Sequence, residues 1–199
     1  MAAPDMDEVK ALLAEFEPRI RAVIEAAWRE WLDYPFKGRL VFLARFRAVF
    51  VFDAIARNAL AEFEADKDIH VKVEKQTVKF LFKNQVFTRF KKGNDKGIGS
   101  NIETRAVLDF IDPNRTIPGL LPDIMRVEFC YGIDPLGMKL SEIAVVARDR
   151  NQRIWAYPID RSMPGADVVP FTPARPPDHS PPIVYPRKPD AADDAHDAE

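Results

Sequence analysis

One cysteine, three histidines and eight glycines in 199 residues leave little material for several kinds of chemistry. Cys130 cannot form an internal disulfide, so the chain reads as cytosolic. A single cysteine with no ligand pairs at short spacing argues against structural zinc. The histidines are His70, within an alternating apolar segment, and His179 and His196 near the C-terminus. A nucleophile–histidine pair would have to use His70, and no partner motif accompanies it. The glycine-containing stretch Gly93 to Gly99 lacks the Gly-Lys-Ser/Thr ending of a phosphate-binding loop. Asp5, Asp7 and Glu8 stand where a secretory signal would carry basic residues. The longest apolar run, Leu40 to Phe52, is too short to span a bilayer and contains Arg45 and Arg47. These features predict a soluble, cytoplasmic protein.

What the chain does have is apolar bulk. Nearly half its residues are hydrophobic, 14 of them phenylalanine, enough for one globular domain with a real core. The formal net charge of −2 offers no general attraction to nucleic acid or anionic membrane. Charge is nevertheless uneven. From Lys72 to Arg105 there are nine Lys/Arg against three Asp/Glu, while the extreme C-terminus is acidic.

Apolar residues at Val9, Leu12, Leu13, Phe16, Ile20, Val23, Ile24, Ala27, Trp28 and Trp31 recur at helical spacing. Pro18 favours a first helical position, so the spacing predicts a short helix to about Phe16 and a longer one over Pro18–Asp33. A break at Tyr34-Pro35 leads to a second long helix, from about Lys37-Gly38 to Ala65. Its Leu40–Phe52 portion has almost no polar face. Such a helix is either central to the core or half-covered by a partner subunit, which would make a structural dimer.

The pattern changes to period two at Ile69. Ile69, Val71 and Val73 mark one strand and Val78 to Phe82 another, whose pattern can run on through Val86 and Phe87 to Phe90. A loop follows from Lys91 to Asn101. Thr104 to Ile111 fits either a short strand or a short helix, and Asp112-Pro113 and Ile117-Pro118-Gly119 make an irregular connection. Met125–Ile133, Leu140–Asp149 and Arg153–Ile159 read as three strands joined by tight turns into a meander. The expected fold is α+β: N-terminal long helices packed on an antiparallel sheet that ends in this β-meander. It forms one domain over 1–161, helical over 5–65 and β-rich over 68–160. Nine of the 17 prolines lie between Pro164 and Pro189, so 162–199 reads as a disordered, Pro-rich and acidic tail.

Three patterns could carry function. The first is Gln76-Thr77-Val78-Lys79-Phe80-Leu81-Phe82. A glutamine five residues ahead of a Leu-Phe pair matches short peptides that dock on the bacterial replication clamp, where the apolar pair fills a groove and the amide bonds its rim. Lys79 departs from that pattern, which usually has an aliphatic residue there. The competing reading is an ordinary strand with Val78, Phe80 and Phe82 on one face. The two are compatible if the strand lies at a sheet edge or can peel away. The second pattern is the basic stretch Arg89, Lys91, Lys92, Lys96 and Arg105 with Phe87 and Phe90 interleaved. Cations and rings together hold single strands, yet the same residues fit a solvated loop on a sheet whose phenylalanines point inward. The third is acidic. Asp123 and Glu128 come nearest a restriction-type nuclease set, but Cys130 stands where its lysine belongs. Asp134, Glu142 and Asp149 could gather on Mg²⁺ at one edge of the meander.

Thr88-Arg89-Phe90-Lys91-Lys92-Gly93, Gly99-Ser100-Asn101-Ile102-Glu103-Thr104 and Pro118-Gly119-Leu120-Leu121-Pro122 resemble a family of small bacterial proteins of toxin–antitoxin loci. The Val127–Gly132 and Ile154–Tyr157 segments fit as well. The resemblance covers Val71 to Asp160 and is greatest to the SocB-type toxins. It implies a non-enzymatic inhibitor that blocks replication elongation by occupying the sliding clamp, with an antitoxin adaptor delivering the toxin to the ClpXP protease. Gln76, Leu81 and Phe82 would then be the clamp-binding residues, with no catalytic residue, metal or cofactor. The alternative is a nucleic-acid-binding protein or nuclease toxin that uses the basic loop of residues 89–105.

Overall fold

The computed structural model describes residues 3–35, 44–74, 77–100, 104–121 and 123–160. The expected start of the second long helix, Gln76 and the Pro-rich tail lie outside them.

Helix α1 (Met6–Leu13) starts where the Asp5 carboxylate accepts the Glu8 N–H at 2.9 Å. Helix α2 (Glu17–Asp33) has Pro18 in its first turn and ends just before Pro35, which disfavours helical geometry in the residue preceding it. Helix α3 (Ala44–Phe63) buries Val51, Ala54, Ile55, Ala59 and Phe63 on one stripe. Its N-terminal part differs from the all-round burial that its composition suggests: Phe46 and Val49 are exposed.

Six strands form one sheet in sequence order: β1 (Ile69–Glu74), β2 (Thr77–Phe82), β3 (Val86–Lys92), β4 (Met125–Ile133), β5 (Leu140–Asp149) and β6 (Gln152–Pro158). The class is α+β, as the order of patterns implies. The sheet, however, is mixed and not antiparallel. β3 and β4 run parallel over seven residue pairs, from Val86↔Met125 to Lys92↔Tyr131. The chain returns to start β4 beside the start of β3, so the segment after Lys92 is a crossover that carries helix α4 (Arg105–Ile111). Thr104 caps this helix by accepting the Val107 N–H, which decides the strand-or-helix ambiguity for helix.

The expected continuation of β2 into β3 is instead a reversal. Lys83 and Asn84 take left-handed conformations, φ 47° and 55°, and the strands pair from Phe82↔Val86. Both long helices cover one face of the sheet. Val78, Phe80, Phe82, Phe90, Phe129, Tyr131, Val145 and Tyr157 point into that layer with Ile20, Ile24, Trp28, Ile55 and Phe63. The Phe82 ring meets Phe16, Phe63 and Phe129 at centroid distances of 5.1, 5.7 and 5.8 Å. The crossover lies over the opposite face, where Phe110 and Ile111 of α4 pack with Phe87 in a smaller cluster. No helix among the described residues is long and apolar enough to cross a membrane.

Candidate functional site

The clamp-like segment is not at an edge. β2 lies between β1 and β3, in register with both. Its period-two pattern sends Phe82 into the main core with no exposed surface, while half-buried Leu81 packs beside Phe87 on the other face. The expectation of a displayed edge strand is therefore corrected. The alternation that makes the segment a good strand also turns its two anchor residues to opposite faces. Lys79, the departure from the clamp pattern, is 5% exposed and paired with Glu74 at 3.0 Å.

The basic stretch divides as well. Arg89 is buried, not presented to a phosphate chain. Its Nη2 lies 2.6 Å and its Nε 3.0 Å from Glu128 Oε1. Glu128, at zero exposure, turns Oε2 to Arg148 Nη1 at 3.2 Å and to the Gly99 N–H at 2.9 Å. Arg148 Nη1 also donates to the Gly99 carbonyl at 2.9 Å. The Phe110 ring lies 4.2 Å from the Arg89 guanidinium carbon. One carboxylate thus joins β3, β4 and β5 to the glycine loop, and Arg89 carries the link on to α4. Phe87 and Phe90, read as possible base-stacking rings, are both buried.

Burial raises the Glu128 pKa, but the charges of Arg89 and Arg148 with their hydrogen bonds, and the Gly99 N–H, hold it below the usual carboxylate value. Lys91, half-buried on the same face, is lowered to about 8 by desolvation and then by repulsion from Arg89. Burial, with Glu128 nearby, pushes the Cys130 thiol upward. Cys130 is therefore a protonated, small apolar group here rather than a reactive thiolate.

The glycine loop is itself ordered. Gly93 and Gly99 form an isolated bridge, and Asn94 Oδ1 accepts the N–H groups of Lys96 and Ile98 at 2.9 and 3.3 Å. A Cβ on Gly99 would sit 2.5 Å from Glu128 Oε2, so only glycine lets the loop come this close. Lys96 and Arg105 remain exposed, with Lys92 half-buried, as the outward-facing remnant of the predicted basic surface.

The acidic candidates do not converge. Asp134 accepts the Lys139 N–H at 2.8 Å, closing the β4–β5 turn, while Asp149 ends β5 at its far end. Asp123 is exposed and Glu128 is committed to its two arginines. No group of three or more metal-ligating side chains occurs among the described residues. His70 is exposed on β1. An open groove of about 670 Å³ beside α2 and the start of β5 is lined by Arg21, Trp28, Arg29, Met138, Lys139 and Glu142, with mixed charge.

Sequence reasoning named Arg89 and Glu128 for other roles and missed Arg148. The available signal was a charged residue inside each of three strongly apolar strands. The chain matches no known family model, curated protein or solved structure.

Proposed function

We propose that this chain is a non-enzymatic binding protein, the toxin of a toxin–antitoxin pair, which engages the bacterial sliding clamp through its β1–β2 hairpin. The supporting observation is how that hairpin is fastened. β1 and β2 pair with each other over six residues, whereas β2 pairs with the rest of the sheet over four, and β1 is the terminal strand. The hairpin is held less firmly to β3 than to itself, so it parts there first, and release of β2 from β1 then frees Leu81 and Phe82 from the alternation that turns them to opposite faces. Polymerase subunits compete for the same clamp groove, so occupancy alone inhibits. The antitoxin adaptor and ClpXP belong to the same reading as further partners.

Burial sets the cost of this route. Withdrawing Phe82 forfeits about 3–5 kcal/mol of packing, and Phe80, equally buried on the same strand, leaves with it. The folded chain should therefore bind more weakly than a free peptide of the same sequence by on the order of 10²–10⁴-fold or more. The test compares clamp binding by the whole chain and by a synthetic Lys75–Lys83 peptide, each with and without Gln76→Ala. A peptide that binds, a whole chain that binds more weakly by that factor, and loss of both on Gln76→Ala are expected. Failure of the peptide itself removes the clamp reading.

A second reading, nucleic-acid binding, draws on the exposure of Lys96 and Arg105. It predicts affinity that falls steeply with salt and is lost in a Lys92→Ala, Lys96→Ala, Arg105→Ala chain.

A further inference from the structure

The crossover face of the sheet holds one nucleophile that the Glu128 network leaves over. Lys91 stands two residues after Arg89 on β3, so its side chain rises on the same face. Across the parallel seam its partner is Cys130, which packs with Ile98, Ala144 and Val146 in a small apolar cluster. The glycine loop comes down beside it: a Cβ on Gly99 would sit 2.8 Å from the Lys91 Cβ. Between these neighbours Lys91 is half-buried.

The carboxylate that acts on Lys91 is Glu128, and its oxygens are already taken. Oε1 accepts two N–H groups of Arg89, and Oε2 accepts from Arg148 and from the Gly99 N–H. Lys91 itself makes no ion pair or hydrogen bond among the described residues. Two buried guanidiniums against one carboxylate leave the site positive before the lysine is counted. Desolvation, like charge and the want of an acidic partner all favour the neutral amine, which is the nucleophilic form. The same surplus of positive charge draws in an anionic reagent.

We infer that Lys91 is an acylation site that takes small acyl phosphates. The Nζ lone pair attacks the acyl carbon, and the C–O bond to phosphate breaks with its electron pair leaving on the phosphate. The nitrogen then gives up a proton to water, so the products are an amide and inorganic phosphate. The close approach of Gly99 limits the donor to a small acyl group. The amide carries no charge at any pH, so the modification turns a titrating side chain into a permanently neutral one. This inference does not rest on the clamp reading.

The test is competitive labelling of the intact, folded chain with acetyl phosphate at low conversion. The remaining amines are then acetylated with a deuterated reagent in denaturant, and mass spectrometry reads the fraction first labelled at each lysine. With Lys91 held at about 8 against 10.5 for an ordinary lysine, it should react on the order of ten-fold faster than exposed Lys96 at about pH 7.5. That advantage should be gone by about pH 10.5, where both amines are largely neutral, and should be absent in urea, where the cluster is dispersed. Phenyl acetate, an uncharged donor, should give a several-fold smaller Lys91-to-Lys96 ratio than acetyl phosphate. Lys96 labelled as fast as Lys91 in the folded chain at about pH 7.5 overturns the proposal. So does a preference that persists in urea, or a ratio that phenyl acetate matches.

Discussion

The two faces of this sheet are stabilised in opposite ways. On the helix-covered face, Phe16, Phe63, Phe80, Phe82, Phe90 and Phe129 share the burial, each ring touching others. On the crossover face, a single carboxylate, Glu128, serves two arginines and the Gly99 N–H. Apolar packing is redundant, and its loss is graded with the volume removed. A buried ionic cluster is not redundant, because removing one member strands the others in a place where water cannot compensate. Buried charge is therefore weak evidence of function here: the network explains Arg89 without a ligand.

The largest expected effects test that contrast directly. Glu128→Ala and Phe82→Ala should each cost about 3–5 kcal/mol in urea unfolding, the first from unpaired cations and the second from a cavity. pH separates them. The Glu128 pKa is depressed in the folded state, so its contribution is complete above the ordinary glutamate value of 4.5 and is lost as pH falls through the lower folded value. The Glu128→Ala penalty should shrink on acidification while the Phe82→Ala penalty stays constant; parallel pH profiles would contradict the assignment. The comparison breaks most informatively in a combined Arg89→Met, Glu128→Leu, Arg148→Met chain. If the network contributes little net stability over apolar packing, this chain should be as stable as the parent or more so.

Gly99→Ala comes next, at about 1–3 kcal/mol, since its Cβ would meet both Glu128 Oε2 and the Lys91 Cβ at 2.8 Å or less. Lys91→Met should stabilise the chain at neutral pH. A lysine held at about 8 when folded opposes folding while it is charged. That opposition is complete below about 8 and fades as pH rises towards the ordinary value of 10.5, so the variant's advantage should narrow over that interval. Smallest is Lys96→Ala, on the exposed loop, which should change stability by less than about 0.5 kcal/mol.

Local pattern carried much of this fold. The limits of β4 and β5 coincide with the alternating segments, and α2 begins at the turn that Pro18 favours. What escaped was non-local. Nothing within Val86–Lys92 says that its second partner is Met125–Ile133 running parallel, because that choice depends on where the crossover returns the chain. The reversal at Lys83-Asn84 uses left-handed residues without glycine, so the usual turn signal is missing. The candidate sites failed for the same reason. Period two makes Phe82 look available and makes it buried, and only its position between two strands decides which. Arg89, Glu128 and Arg148 lie on three strands and meet only once the register is set.

The parallel seam between β3 and β4 has a kinetic consequence. Each half of the sheet, β1–β3 and β4–β6, is a run of adjacent hairpins that closes short loops, whereas the seam must bring together the two ends of the whole crossover from Gly93 to Ile124. Loop-closure entropy places that step late. Refolding should therefore pass through two separately formed meanders, and the Arg89–Glu128 bond, which crosses the seam, acts as the latch that joins them.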